Sequence, residues 1–315
     1  MNSTPDPARS RMFHSRYRYV LRPVLHLPAV LYSILLAAVL GAALWGLRGT
    51  VLAVSGWLAA SMVMLWRRGE RLALRVLFRW RPLNVDAVFG PAVGNELRRV
   101  IGADFRRYDW YIEKSGALNA AAVGGHAIAI TSRMVQLHRQ RRLADEHVIA
   151  VVLHEYGHHR GELVRFGAAL TWLIRPWSFT QHFARAFVQS FIGRRRKLRG
   201  GIVRWFVLAI GFLVLLQLLG HHVGVVALVA AALMLLLVVL PLLEARLMRT
   251  EELRADQVAA DLGYGGSLRA VFNTFQDTTP SRLHWYKRST AHHPPFVLRA
   301  ALLPPHNTPT EYLHI

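Results

Sequence analysis

Residues 145–160, DEHVIAVVLHEYGHHR, decide how the rest of the chain is read. Val148, Val151, Val152 and Glu155 recur at helical spacing, with acids in the first turn and basic groups in the last, as the helix dipole favours. On such a helix His154-Glu155-Tyr156-Gly157-His158 is an H-E-x-x-H pattern. The i, i+4 spacing sets His154 and His158 on one face, where two imidazoles bind one Zn2+ and Glu155 sits beside the metal. The apolar residues ahead of the pattern place it near a core rather than on a free surface. A catalytic zinc takes three protein ligands and keeps a fourth position open for water, so a further carboxylate or imidazole must come from another element.

Downstream, residues 250–261 read TEELRADQVAAD, with a plausible helical face on which Glu252 and Asp256 lie one turn apart. Glu252 suits the third ligand, while Asp256 suits a group that orients a ligand imidazole through its N–H or pairs with an arginine. Glu251 fits a spacing one residue longer, so arithmetic alone leaves both glutamates open. Upstream, residues 92–106 are predicted to be helical, and 119–131 (NAAAVGGHAIAIT) to form two short strands about Gly124-Gly125. An exposed edge strand there binds an extended peptide through main-chain hydrogen bonds; an ordinary structural hairpin is the alternative.

Composition sets the surroundings of this domain. The 315 residues are 53% hydrophobic yet carry a formal charge of +21, which leaves a nucleic-acid binder or a membrane protein. Uncharged apolar runs favour the membrane: 24–47 and 50–66, then 205–220 and 223–243, predicted as four transmembrane helices in two hairpins. The first run is too long for the apolar core of a cleavable signal peptide. Arginines flank the outer ends of each pair, while the short connections hold only Arg48 and a His pair, so the N-terminus and the large segments are expected on the cytoplasmic side. Topology and anionic lipid account for the charge without nucleic acid. With no cysteine, disulfides, thiolate metal sites and cysteine nucleophiles are excluded. The expected plan is a basic N-terminus (1–23), spans one and two (24–66), a first cytoplasmic part (67–201), spans three and four (202–243), a second part (244–304) and a tail (305–315). Within the first part, 161–201 is a basic, aromatic insert read as interfacial helices.

The motifs, taken in order, resemble the HtpX-like and CAAX-prenyl-protease-like integral-membrane zinc metallopeptidases, the HtpX-like branch most closely. The likeness rests on Asn119-Ala120 with Gly124-Gly125-His126 and Ile130-Thr131, on H-E-Y-G-H at 154–158, on E-x-x-A-D at 252–256, and on His293-Pro294 with Arg299 as H-P-x-x-x-x-R. It implies an α-helical membrane protein with an α+β zincin-like protease domain and a small edge hairpin beside the active-site helix. It also implies that His154, His158 and Glu252 bind one Zn2+ per chain and that Glu155 is the catalytic base. His293 becomes a candidate second electrostatic group near the developing oxyanion. Arg299 is expected to pair with a buried acid such as Asp256. Asn119, Ala120, Gly124 and Gly125 would belong to a substrate-binding edge strand.

The activity so implied is that of a membrane-bound zinc endopeptidase of broad specificity, in the plasma or inner membrane, cleaving misfolded or damaged membrane proteins from the cytoplasmic side. A prenyl-protein protease shares the metal motifs but is usually built from more transmembrane helices. A catalytically silent zinc-holding scaffold would not need Glu155. A membrane-bound DNA-binding regulator would need a helix-turn-helix, which residues 82–145 and 262–315 do not contain.

Overall fold

A computed structural model describes residues 7–161, 166–180, 223–274 and 294–303. They are mostly helical with one small sheet. The first helical stretch, α1 (Pro7–Val63), leaves helical geometry at Trp45 (φ −142°, ψ 22°) and Gly46 (φ 63°, ψ −146°), the latter a conformation that glycine adopts without a Cβ clash. Thr50 Oγ1 donates to the Ala38 carbonyl at 3.2 Å, and a Cβ on Gly41 would lie 2.4 Å from the Gly49 carbonyl oxygen. Residues twelve apart in a straight helix stand about 18 Å apart, so the chain bends back at Trp45-Gly46, with two glycines where the backbones touch.

The stretch Val24–Val63 is long and apolar enough to cross a membrane, and Leu35, Leu40, Leu44 and Leu52 on it are exposed. It contains the first expected span and most of the second. The third, 205–220, lies outside the described residues. The fourth falls within a helix that does not stop where the apolar run ends but continues through the acidic motif. Near that junction Leu25 packs on Leu247, and His26 Nε2 stands 3.3 Å from Glu244 Oε1.

After α1 come α2 (Arg67–Leu77), β1 (Arg81–Pro82), α3 (Val85–Phe89) and α4 (Pro91–Ile101). Asn84 caps α3 by accepting from the Asp86 and Ala87 N–H groups. Next are a 3-10 turn (Gly102–Arg107), β2 (Asp109–Glu113), β3 (Ala120–Val123), β4 (Ala127–Thr131), α5 (Ser132–Arg139), α6 (Asp145–Arg160) and α7 (Gly167–Leu173). The described part closes with α8 (Val223–Asp261), α9 (Gly265–Thr274) and α10 (Phe296–Leu302). The sheet order is β1-β2-β4-β3, with β2 parallel to β4 and the outer pairs antiparallel. Both strands expected about Gly124-Gly125 are present, and β2 and β1 extend them to four.

β4 is buried along its whole length because both faces of the sheet are covered. Ala120 and Ile130 join the core built from α4, α6 and α9, whereas Tyr111, Ala127 and Ala129 pack against Leu74 of α2 and Trp80. The sheet thus lies between α6 and α2. From the basic, aromatic segment the described residues 166–180 lie against α1: Trp172 stacks on Trp57 with centroids 4.2 Å apart, and Trp177 meets Tyr32 edge-on.

Candidate metal centre

Helices α6 and α8 cross where neither has bulk to spare. A Cβ on Gly157 would lie 2.7 Å from Ala255 Cα, so the glycine of H-E-Y-G-H and the alanine of E-x-x-A-D set the depth of the crossing. One turn from that contact, Glu252 enters between the two histidines. His154 Nε2 is 3.4 Å from Glu252 Oε2 and His158 Nε2 is 3.5 Å from Glu252 Oε1, with the imidazoles at 81° to one another. One ligand atom from each of the three lies within 4.8 Å of the others. Tetrahedral ligands about 2 Å from a zinc ion stand about 3.3 Å apart, close to the two His–Glu distances. Glu251 points elsewhere, toward Gly161 and Arg254, so of the two glutamates it is Glu252 that joins the possible metal group with His154 and His158.

Asp256, one turn further along α8, holds His154 from behind. Its Oδ1 is 2.9 Å from His154 Nδ1, which fixes Nδ1–H as donor and turns Nε2 toward the centre. From α10, Arg299 gives Nε and Nη2 to the two Asp256 oxygens at 2.8 and 2.6 Å, its Nη1 forms an ion pair with Glu252 Oε2 at 2.9 Å, and its guanidinium lies 4.2 Å over the Phe272 ring. The expected pairing of Arg299 with Asp256 is therefore the arrangement found. Burial alone would raise Asp256, but the hydrogen bonds from Arg299 and His154 outweigh it and hold the carboxyl below its ordinary value. Burial opposes charge on His154 as well, and its bonds to Asp256 and Glu252 overcome this and lift it to about 9.

Glu155, Glu252 and Asp256 are all buried, facing one buried guanidinium. Three buried carboxyl groups thus share one guanidinium and the His154 imidazole, and a cation held between His154, His158 and Glu252 would supply further positive charge where unpaired charge is costly. Donor chemistry, spacing and charge all fit zinc.

Glu155 turns from the three metal-facing groups toward the sheet, where its Oε2 accepts the Ala122 N–H at 2.8 Å. The edge of β3 that is not paired with β4 therefore faces α6. Of the other residues assigned to this edge, Asn119 pairs its backbone with Thr131, Ala120 is buried in the core, and Gly124 and Gly125 form the turn into β4. His293 lies outside the described residues. Two participants escaped the sequence reading. Ala122 acts through its backbone, which leaves no signal in a run of alanines. Glu70 sits over Gly124, and its signal was its isolation, as the sole acid in residues 7–85.

Comparison with known families matches peptidase family M48 to residues 91–304, about two thirds of the chain. The matched region contains His154, Glu155, His158, Glu252, Asp256 and Arg299. No curated protein matches the chain.

Proposed function

Because the chain belongs to peptidase family M48, the family of HtpX-like and CAAX-protease zinc metallopeptidases, we propose that this metallopeptidase is a membrane-bound zinc endopeptidase that cleaves misfolded or damaged membrane proteins from the cytoplasmic side. The observation that carries the reading is the convergence of His154, His158 and Glu252 with Glu155 between them and the free edge of β3. His154 and His158 would hold zinc through Nε2 and Glu252 through its carboxylate. When bound, zinc supplies a Lewis acid that brings the pKa of water to about 7 and polarises a carbonyl. Glu155 takes the proton from the attacking water as the new C–O bond forms, then hands it to the leaving amine as the C–N bond breaks. Asp256 and Arg299 keep His154 in the tautomer that faces the centre. His293 is assigned a place near the developing oxyanion.

A substrate strand laid along β3 gains main-chain hydrogen bonds whatever its side chains, which suits unfolded polypeptide. Asn119, Ala120, Gly124 and Gly125 frame that edge. Membrane attachment is supported by the exposed apolar surface of α1. The bend at Trp45-Gly46, with Gly41 against Gly49, favours two antiparallel spans over one. The apolar start of α8 supports a further span, and the arginine asymmetry supports the cytoplasmic orientation.

Glu155→Gln removes the base and keeps every ligand. Wild type and variant, stripped by chelation and given about one equivalent of Zn2+, should both retain metal, and only the wild type should cleave an unfolded membrane protein. Equal cleavage by both, or none by the zinc-loaded wild type, rejects the peptidase assignment. Preference for a prenylated peptide over the unfolded protein moves the chain to the prenyl-protease branch.

A further inference from the structure

Helix α2 presents two unlike faces. Arg68, Leu72, Arg75 and Val76 fall within an arc of about 100° and are all exposed, Leu72 at 62% and Val76 at 64%. Exposed Leu65 and Trp66 lead into this face, directly after the apolar stretch that ends at Val63, and exposed Arg79 follows it. Positive charge beside aliphatic surface, joined to a membrane segment, is the pattern of a helix lying in the plane of an anionic bilayer.

The opposite face is committed to the sheet. Ala73 and Leu74 are buried, and Arg67 and Arg71 both clasp Asp109 at the start of β2, with Arg71 at 2.6 Å to each oxygen. Glu70 is buried over the β3–β4 turn: its Oε1 accepts the His126 N–H at 3.3 Å, and a Cβ on Gly124 would lie 2.0 Å from that oxygen. Gly167 of α7 closes on the turn from elsewhere, since a Cβ there would stand 3.2 Å from Gly124 N. Two residues before the turn, Ala122 gives its N–H to Glu155. Thus α2 is joined through Glu70, the turn and β3 to the candidate base.

We propose that α2 is a membrane-surface helix that binds anionic phospholipid headgroups through Arg68 and Arg75, with Leu72 and Val76 at the acyl boundary, and that Glu70 on its other face carries this placement to the edge strand beside Glu155. The inference rests on the membrane-bound peptidase reading above and adds its lipid partner and a positioning residue. Anionic lipid fixes α2, α2 fixes the Gly124 turn, and the turn sets where β3 presents Ala122 to the centre.

The chain contains no cysteine, so single spin labels can be placed cleanly. Label Val76→Cys, and separately Leu35→Cys on the exposed surface of α1, in the full-length protein reconstituted in phosphatidylcholine vesicles with and without about one quarter phosphatidylglycerol. The expected result is that the Val76 label becomes accessible to oxygen and shielded from a water-soluble nickel chelate when phosphatidylglycerol is present. Wild-type turnover should rise severalfold in the same vesicles, and Arg68→Gln/Arg75→Gln should lose both differences. Glu70→Ala should keep zinc but lose the lipid response, and Glu70→Gln, which still accepts from His126, should recover part of it.

A water-exposed Val76 label beside a lipid-exposed Leu35 label overturns the proposal and leaves the membrane reading intact. Water exposure of both overturns the two together. Lipid contact at Val76 with equal turnover in both vesicles, or a full lipid response in Glu70→Ala, overturns the link to the edge strand. A zinc-loaded wild type that cleaves nothing in either vesicle rejects the peptidase reading and this link together.

Discussion

Among the described residues Arg299 is the buried arginine that faces the acids of the centre, and its loss would remove a counter-charge that Asp256 and Glu252 share. Arg299→Met leaves Asp256 and Glu252 buried without their partner, a change that costs about 3–5 kcal/mol and, by loosening His154, weakens metal affinity by about 10–100-fold. Denaturant unfolding and chelator competition measure the two effects, and Arg299→Lys should restore little because one ammonium cannot span Asp256 bidentately. His159, the next residue after a proposed ligand, gives a pH signature. Burial pushes its imidazole down to about 4 while its ring nitrogen meets the Ala127 carbonyl at 3.0 Å. The unfolded chain then binds the extra proton first as pH falls. The stability from neutral His159 is complete above about pH 6.5 and is lost between there and about 4, on the order of 3 kcal/mol in all. His159→Gln should flatten this part of the urea-unfolding profile; an unchanged slope refutes the assignment. The two candidate metal histidines and Glu155 were legible because i, i+4 geometry is local. Spacing left Glu251 and Glu252 open and only the family resemblance chose between them; the phase of α8 against α6, which no spacing rule encodes, sets Glu252 beside the two histidines.

The crossing of α6 with α8 is an element-scale property, and it rests on the absence of one methyl group. Gly157→Ala should raise the helix propensity of α6 by about 1 kcal/mol in isolation, yet the new Cβ meets the Ala255 backbone and costs about 1–3 kcal/mol of overpacking. The expected outcome is a helical protein, by circular dichroism, that no longer retains zinc on dialysis; full retention would show that the crossing has slack. Periodicity identified α6 to its end residues and located β3 and β4 about their glycine turn, since these are short-range signals. It missed β2, whose five residues DWYIE are recognisable as a strand only once β4 lies parallel beside them. It also divided α8 at the change from apolar to charged residues, where the backbone continues unbroken through Glu252 and Asp256.

For the molecule as a whole, the sequence carries the expectation that one domain is assembled from segments on either side of apolar runs, with the candidate ligands divided between them. It did not reveal that the fourth apolar run and Glu252 lie on one continuous helix, α8. The continuity of α8 has a metrical consequence. Glu252 lies nine positions beyond Leu243, the end of the apolar run, and a helix rises 1.5 Å per residue, so the candidate centre stands off from that run by about 14 Å. An extended chain covers this distance in about four residues. Membrane-embedded substrates should be cut at least about four residues from the point where they leave the bilayer, and mass spectrometry of products from substrates with graded loop lengths measures that margin. Cuts adjoining the apolar segment would contradict a fixed stand-off. If the proposed membrane reading holds, helix α8 would work as a gauge, admitting clients by how far a loosened loop reaches into the aqueous phase before any side chain is inspected.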